Sequence, residues 1–231
     1  MDTIHGKHTR TLDAAGFHAL ASRYDNVLLD LGAGDGRYTL HTARRRPDCL
    51  SIGLDACADG MRKTSRTAPP NALYIVANAL VLPEELANTA SHMTINFPWG
   101  SLLTALLGAD PALAVGLRAV ICQSATMEIR LNLGALAQIG CSPEAAPDLV
   151  RQALWNGGFS GLRTCGLSAA ELRACPTTWA KRLAYGRDPR GLLLQARRAP
   201  EHPSTLRALG ALPATSLSQQ QTLYYSPEGS A

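Results

Sequence analysis

Asn26-Val-Leu-Leu-Asp30-Leu31-Gly32-Ala-Gly34-Asp-Gly36 is the stretch on which the fold turns. An apolar run of strand length passes directly into a glycine-rich turn, which reads as a buried strand handing over to a helix. Glycines at such a junction let the backbone turn sharply and approach a ligand that Cβ atoms would hold off. Downstream, the residues from Tyr38 to Arg46 are helical in pattern and end at Pro47. Leu50 to Leu54 gives a second strand closed by Asp55, and Ala56 to Arg66 a second helix. Leu73 to Val76 and His92 to Phe97 are further strands, the latter stopped by Pro98. Helices near 101–108 and 111–118 lead to a strand from Ser124 to Leu131. The stretch 132–148, with Pro143 and Pro147, reads as a linker or a short helix in a loop. A helix near 148–156, a strand near 160–166, a helix N-capped by Ser168 and a last strand from Leu192 to Ala196 complete the pattern. Such β-α-β alternation predicts an α/β fold with a mainly parallel sheet wrapped by helices.

The 231 residues suffice for one such domain with a real core. Apolar residues make up 46% and mean hydropathy is −0.03, which excludes a largely disordered chain and any obvious membrane span. The first sixteen residues hold no continuous apolar run, so a secretory signal is not expected and the cytoplasm is. Six cysteines include no C-x-x-C pair, and they read as reduced thiols with no metal site. From Pro200 onward Pro, Ser and Gln dominate, so the expected domain is 1–199 with a loosely attached tail at 200–231.

Net charge is only +4, so placement of charge matters more than its total. Basic residues cluster between Arg37 and Arg66 and again between Lys181 and Arg198, while 67 to 117 holds almost none. This asymmetry suits a polyanion lying across one face, although solvated helix faces are the commoner reason for such runs.

The glycine loop points to a cofactor. The dinucleotide fingerprint G-x-G-x-x-G needs glycine where Arg37 stands, and the loop is preceded by an acid at Asp30. A carboxylate there repels a pyrophosphate but pairs with the ammonium of a methionine moiety, so the pattern fits S-adenosylmethionine better than NAD. Asp55, 19 positions after Gly36, ends the second strand and suits the two hydroxyls of a ribose. Phe97-Pro98-Trp99-Gly100 ends the fourth strand at the same rim, where Pro98 stiffens the turn that holds Trp99 outward. The stretch from Thr178 to Arg190 combines Trp179 with several cations, as in readers of unstacked RNA bases, and could equally be a surface helix solvated by its charges.

Together D-L-G-A-G-D-G, F-P-W-G-S-L-L and W-A-K-R-L-A-Y-G-R closely resemble the aminoglycoside-resistance methyltransferases of the Kam type, from about Gly6 to about Ala196. That resemblance implies methylation of N1 of adenine 1408 in 16S ribosomal RNA of the small subunit, by a monomer that uses neither metal nor membrane. It implies a class I, Rossmann-like methyltransferase fold: a seven-stranded, mostly parallel sheet with helices on both faces and an N-terminal hairpin at about 1–12. Asp30, Gly32, Ala33 and Gly34 would hold the methionine part and Asp55 the ribose. Ala79, Leu80, Thr94, Asn96, Phe97, Pro98, Ser101 and Thr177 would line the rest of the S-adenosylmethionine pocket. Trp99 and Trp179 would sandwich the flipped adenine as the catalytic pair. Lys7, Arg62, Lys63, Arg66, Lys181, Arg182, Arg187 and Arg190 would grip RNA. Three departures stand out: Leu80 replaces a glutamate usual in relatives, Pro189 takes the place of an arginine, with Arg190 following, and the tail from Pro200 has no counterpart in the family pattern.

On this reading no general base is needed, because the N1 lone pair of neutral adenine is free once the base is unstacked. Rival readings share the fold: a methyltransferase of a small metabolite, which needs no basic surface, and a catalytically weak ribosome-binding module, to which Leu80 lends some support.

Overall fold

The computed structural model describes residues 1–186 and 189–199, so the expected tail at 200–231 and Arg187 lie outside the described residues. The strands are β1 Asp2–His5, β2 His8–Thr11, β3 Asn26–Leu31, β4 Cys49–Asp55, β5 Ala72–Val76, β6 Ala90–Asn96, β7 Ile121–Asn132, β8 Phe159–Leu167 and β9 Gly191–Arg198. The helices are α1 Ala14–Ala21, α2 Arg37–Arg45, α3 Ala58–Ser65, α4 Gly100–Leu107, α5 Pro111–Val120, α6 Leu133–Gln138, α7 Ala146–Asn156, α8 Ala169–Ala174 and α9 Thr178–Ala184.

Among the described residues one sheet runs in the order β2-β1-β5-β4-β3-β6-β7-β9-β8. The decisive stretch is central: β3 pairs in parallel with β4 on one side and with β6 on the other. Strand order therefore reverses at β3, and a crevice opens at its carboxyl end, where α/β sheets take their ligands. The seven expected strands are β3 to β9. The sheet has nine because the N-terminal hairpin adds to its edge, with Asp2 and Thr3 of β1 opposite Val76 and Ile75 of β5. Strand β1 runs against β5 and β9 against β7 and β8, so the sheet is mixed at both margins and parallel in its centre.

Alternation along β3 assigns its two faces. Val27, Leu29 and Leu31 enter the main core with residues of α1, α4, α5 and α7, among them Phe17, Leu106, Leu117 and Val150. The opposite face bears Asp30 and is covered by α2 and α3, where Met61 packs on Tyr74. Further along that side, α8 and α9 form a small core of their own around Phe97 and Leu172, joined by Tyr38 of α2.

Three segments take a form that the sequence reading leaves open or does not mark. Helix α1 carries a weak amphipathic signal, but Asp13 caps it by accepting the Gly16 N–H, and Phe17 and Ala21 are buried. Within 132–148, Asn132 caps α6 through the Gly134 N–H, and Pro147 lies in the first turn of α7, where a missing N–H breaks nothing. The Trp179 segment is a helix, started by Thr177, whose side chain accepts the Ala180 N–H at 2.9 Å. Ser168 caps α8 as expected, in a reciprocal box with Glu171. Among the described residues no single helix is long and apolar enough to cross a membrane.

Candidate active site

A cavity of about 550 Å³ opens at the carboxyl end of β3, β4 and β6. The glycine loop forms its floor. Gly32 and Ala33 donate their N–H groups to the Leu54 carbonyl at 2.8 and 3.0 Å, which locks the loop to the end of β4. Gly34 has φ +58 and faces open space, whereas a Cβ on Gly36, at φ +69, would lie 2.5 Å from the Tyr74 ring. Both positions thus demand glycine, one for its conformation and the other for space as well.

Asp30 is 1% exposed and borders the cavity. Its Oδ1 accepts from the Thr94 hydroxyl at 2.9 Å and the Asn96 amide at 2.8 Å, while Oδ2 has only the Thr39 hydroxyl at 3.5 Å. Burial pushes its carboxyl up to about 6, against the lowering effect of those hydrogen bonds and of Arg130. Among the described residues no cation lies within ion-pair distance of it. Such a carboxylate, with one oxygen underused and facing a cavity, fits an incoming ammonium. Arg130 stands one step behind, donating to Asn96 Oδ1 at 3.0 Å and to Glu128 at 2.7 Å and stacking over Tyr38. It holds Asn96 with its amide turned toward Asp30.

Asp55 is fixed at the rim: the Gly34 N–H reaches one carboxylate oxygen and the Cys57 N–H the other, both at 2.8 Å. Each oxygen keeps a lone pair for a hydroxyl. Ala79, Asn96, Phe97, Pro98, Ser101 and Thr177 line the cavity. Thr94 is fully buried beneath it and acts through Asp30. Leu80 packs against the main core and borders a separate groove with Val81 and Val115. An apolar side chain finds its place there, and Asn78 stands on the cavity wall instead. Asp35 and Thr178 also line the cavity, unnoticed in the sequence because neither belongs to a spacing rule.

At the mouth stand Trp99 and Trp179, each 38% exposed. Phe97, at φ +52 and buried among α8 and α9, is the anchor from which Pro98 and Trp99 turn outward. The indoles meet edge to face, 78° apart with centroids at 5.9 Å. A base between two parallel rings needs them about 7–8 Å apart, so the slot is not preformed. The Arg182 guanidinium covers one face of Trp179 at 5.3 Å.

The expected RNA-gripping side chains fall in two places. Lys7, Lys63 and Arg66 are exposed around the hairpin turn and α3, where Arg62 donates to the Gly6 and Lys7 carbonyls and pairs with Asp59. Lys181 and Arg182 are exposed on α9, and Arg190 precedes β9.

A reversed-order α/β sheet with an acid-flanked glycine loop and an aromatic mouth is a nucleoside-cofactor site of the methyltransferase class. Residues 2–198 match the family described as NpmA: 16S rRNA (adenine(1408)-N(1))-methyltransferase, and the chain belongs to that family. It is 34% identical over 204 residues to a 16S rRNA (adenine(1408)-N(1))-methyltransferase of Streptoalloteichus hindustanus, covering 81% of this chain and 94% of that protein. Among solved structures it resembles the 16S rRNA methyltransferase KamB, with TM-score 0.79 and 30% identity over 87% of this chain and all of that one. The aminoglycoside resistance methyltransferase NpmB1 is 32% identical with TM-score 0.70, over 86% of this chain and all of that one.

Proposed function

We propose that this chain transfers the methyl group of S-adenosylmethionine to N1 of adenine 1408 in 16S rRNA of the small ribosomal subunit, in the cytoplasm, conferring aminoglycoside resistance. The observation that carries this reading is one cavity with Asp30 and Asp55 at its floor and rim and two tryptophans at its mouth.

When bound, S-adenosylmethionine supplies a methyl group on a positively charged sulfur. Asp30 takes its ammonium, which relieves a buried charge, and Asp55 takes the ribose hydroxyls while the glycine loop keeps side chains out of the way. Trp99 and Trp179 part from their edge-to-face contact and stack the everted adenine. Stacking contributes roughly 1–3 kcal/mol per base, which offsets part of the few kcal/mol lost on flipping. N1 would attack the methyl carbon with a lone pair that is already free as the carbon–sulfur bond breaks and its electron pair leaves on sulfur as a neutral thioether, so no side chain has to remove a proton first. Catalysis is then mainly positioning, with reacting atoms about 3–3.5 Å apart and in line. The methylated base is cationic, and indole faces stabilise that charge by about 2 kcal/mol when water is excluded. Lys7, Arg62, Lys63 and Arg66 on one patch, and Lys181, Arg182 and Arg190 on the other, engage RNA phosphates.

Primer extension on 16S RNA from small subunits treated with the protein and S-adenosylmethionine tests this reading. An N1 methyl blocks the pairing edge, so reverse transcription should stop at adenine 1408. Full-length extension through that position would overturn the proposal.

A further inference from the structure

Asp35 lies between Gly34 and Gly36, where the glycine loop meets α9. Its Oδ2 accepts from the Thr178 hydroxyl at 2.5 Å across 143 positions of sequence. Its Oδ1 accepts the Arg37 N–H at 3.2 Å, and Arg37 Nε lies 3.2 Å from Oδ2. Its carbonyl accepts from the Thr64 hydroxyl at 2.7 Å. Helices α2 and α3 therefore hold Asp35 from behind while one of its oxygens reaches forward to α9.

Thr178 is the first residue of α9 and directly precedes Trp179. The apolar side of α9 rests on Phe97 and Leu172 through Ala180 and Leu183, a contact that leaves rotation about the helix start to be set by polar bonds. Among the described residues the Asp35–Thr178 bond is the side-chain hydrogen bond that ties that start to the glycine loop. Asp35 and Thr178 both line the cavity, so the bond sits between the place of the methyl donor and the mouth.

We infer that Asp35 and Thr178 form a positioning strap: the glycine loop, settled on the cofactor, fixes the first turn of α9 and so the angle at which Trp179 meets the acceptor base. Asp35 touches neither reacting atom; it acts through Thr178. The inference rests on the reading that Trp179 stacks the target adenine.

Single-turnover methyl transfer from S-adenosylmethionine to small subunits, with calorimetric titration of S-adenosylmethionine into the free protein, tests the strap. Thr178→Val keeps the shape of the side chain and removes the donor. Its transfer rate should fall about tenfold or more, the effect of a lost hydrogen bond to a charged group, while cofactor affinity stays within about twofold. Thr178→Ser restores the donor and should recover the rate to within about threefold of the parent. Asp35→Ala breaks the same bond from the loop side, so the strap stays open to refutation if Thr178→Val does not fold. In the double variant the losses should not add. Transfer by Thr178→Val at the parental rate overturns the strap, and so does an equal loss of rate and affinity, which would mark Thr178 as cofactor wall only. Trp179→Ala separates the two levels: an unchanged rate there would sink base stacking itself, whereas a large loss there with none in Thr178→Val sinks only the strap.

Discussion

At the floor of the cavity Asp30 is 1% exposed and takes hydrogen bonds from Thr94 and Asn96, whereas at its mouth Trp99 and Trp179 are each 38% exposed and hold each other only by an edge. The floor is built on the ends of central strands, and its polar groups are paired by neighbours on the same sheet face. The mouth is built on a turn after β6 and on the seven-residue helix α9, with Phe97 as their shared apolar anchor. On the proposed reading preorganisation differs along the site: the donor end is set by folding, and the acceptor end would take its working shape when a base arrives.

The sharpest way to break the comparison is at the mouth. Trp99→Ala removes one stacking face and its stabilisation of the cationic product, so single-turnover transfer should fall about 10²–10³-fold. A loss below about fivefold would show that the mouth does not hold the base. At the floor, Asp30→Asn keeps an acceptor for Thr94 and Asn96 but has no charge for an ammonium. Calorimetry should show S-adenosylmethionine bound about ten- to a hundredfold more weakly. The same variant should melt at a higher temperature at pH 8, because it no longer buries an ionised carboxylate.

A pH titration sharpens the picture. The folded-state value of about 6 for Asp30 stands above its ordinary 3.8, owing to burial. The folded apo protein therefore retains a proton between those values, and the associated stability, complete below 3.8, is lost as pH rises through about 6. Cofactor binding favours the ionised form. Affinity should be level above pH 6 and fall about tenfold per unit beneath it, with no such slope in Asp30→Asn. The smallest effect is expected from Arg182→Ala, which should lower the salt slope of small-subunit binding by about one and reduce affinity a few-fold.

The donor end was legible in the sequence because its signals are local: an apolar run into D-L-G-A-G-D-G, and an acid at the end of the next strand. The mouth was legible only in part. Trp99 and Trp179 are 80 positions apart, and their common place follows from strand order, which no short spacing encodes. Their edge-to-face contact depends on side-chain angles and had no signal in the sequence. A position shared with relatives does not fix where the Leu80 side chain points; an apolar residue on that turn joins the core. The hairpin was expected, but its pairing with β5, which widens the sheet to nine strands, required an unfilled edge that only the assembled sheet reveals. Asp35 sits in the loop, but the sequence carries no signal for its partner, which lies in a distant helix.

The division between floor and mouth is tested most directly by two quantities measured on one variant, Trp179→Ala: calorimetric affinity for S-adenosylmethionine and the single-turnover rate of methyl transfer to small subunits. Affinity within about twofold of the parent, beside a rate lowered about a hundredfold or more, is the predicted result. Equal losses in both would contradict it, since they would make the indole part of the donor site rather than a platform for the acceptor.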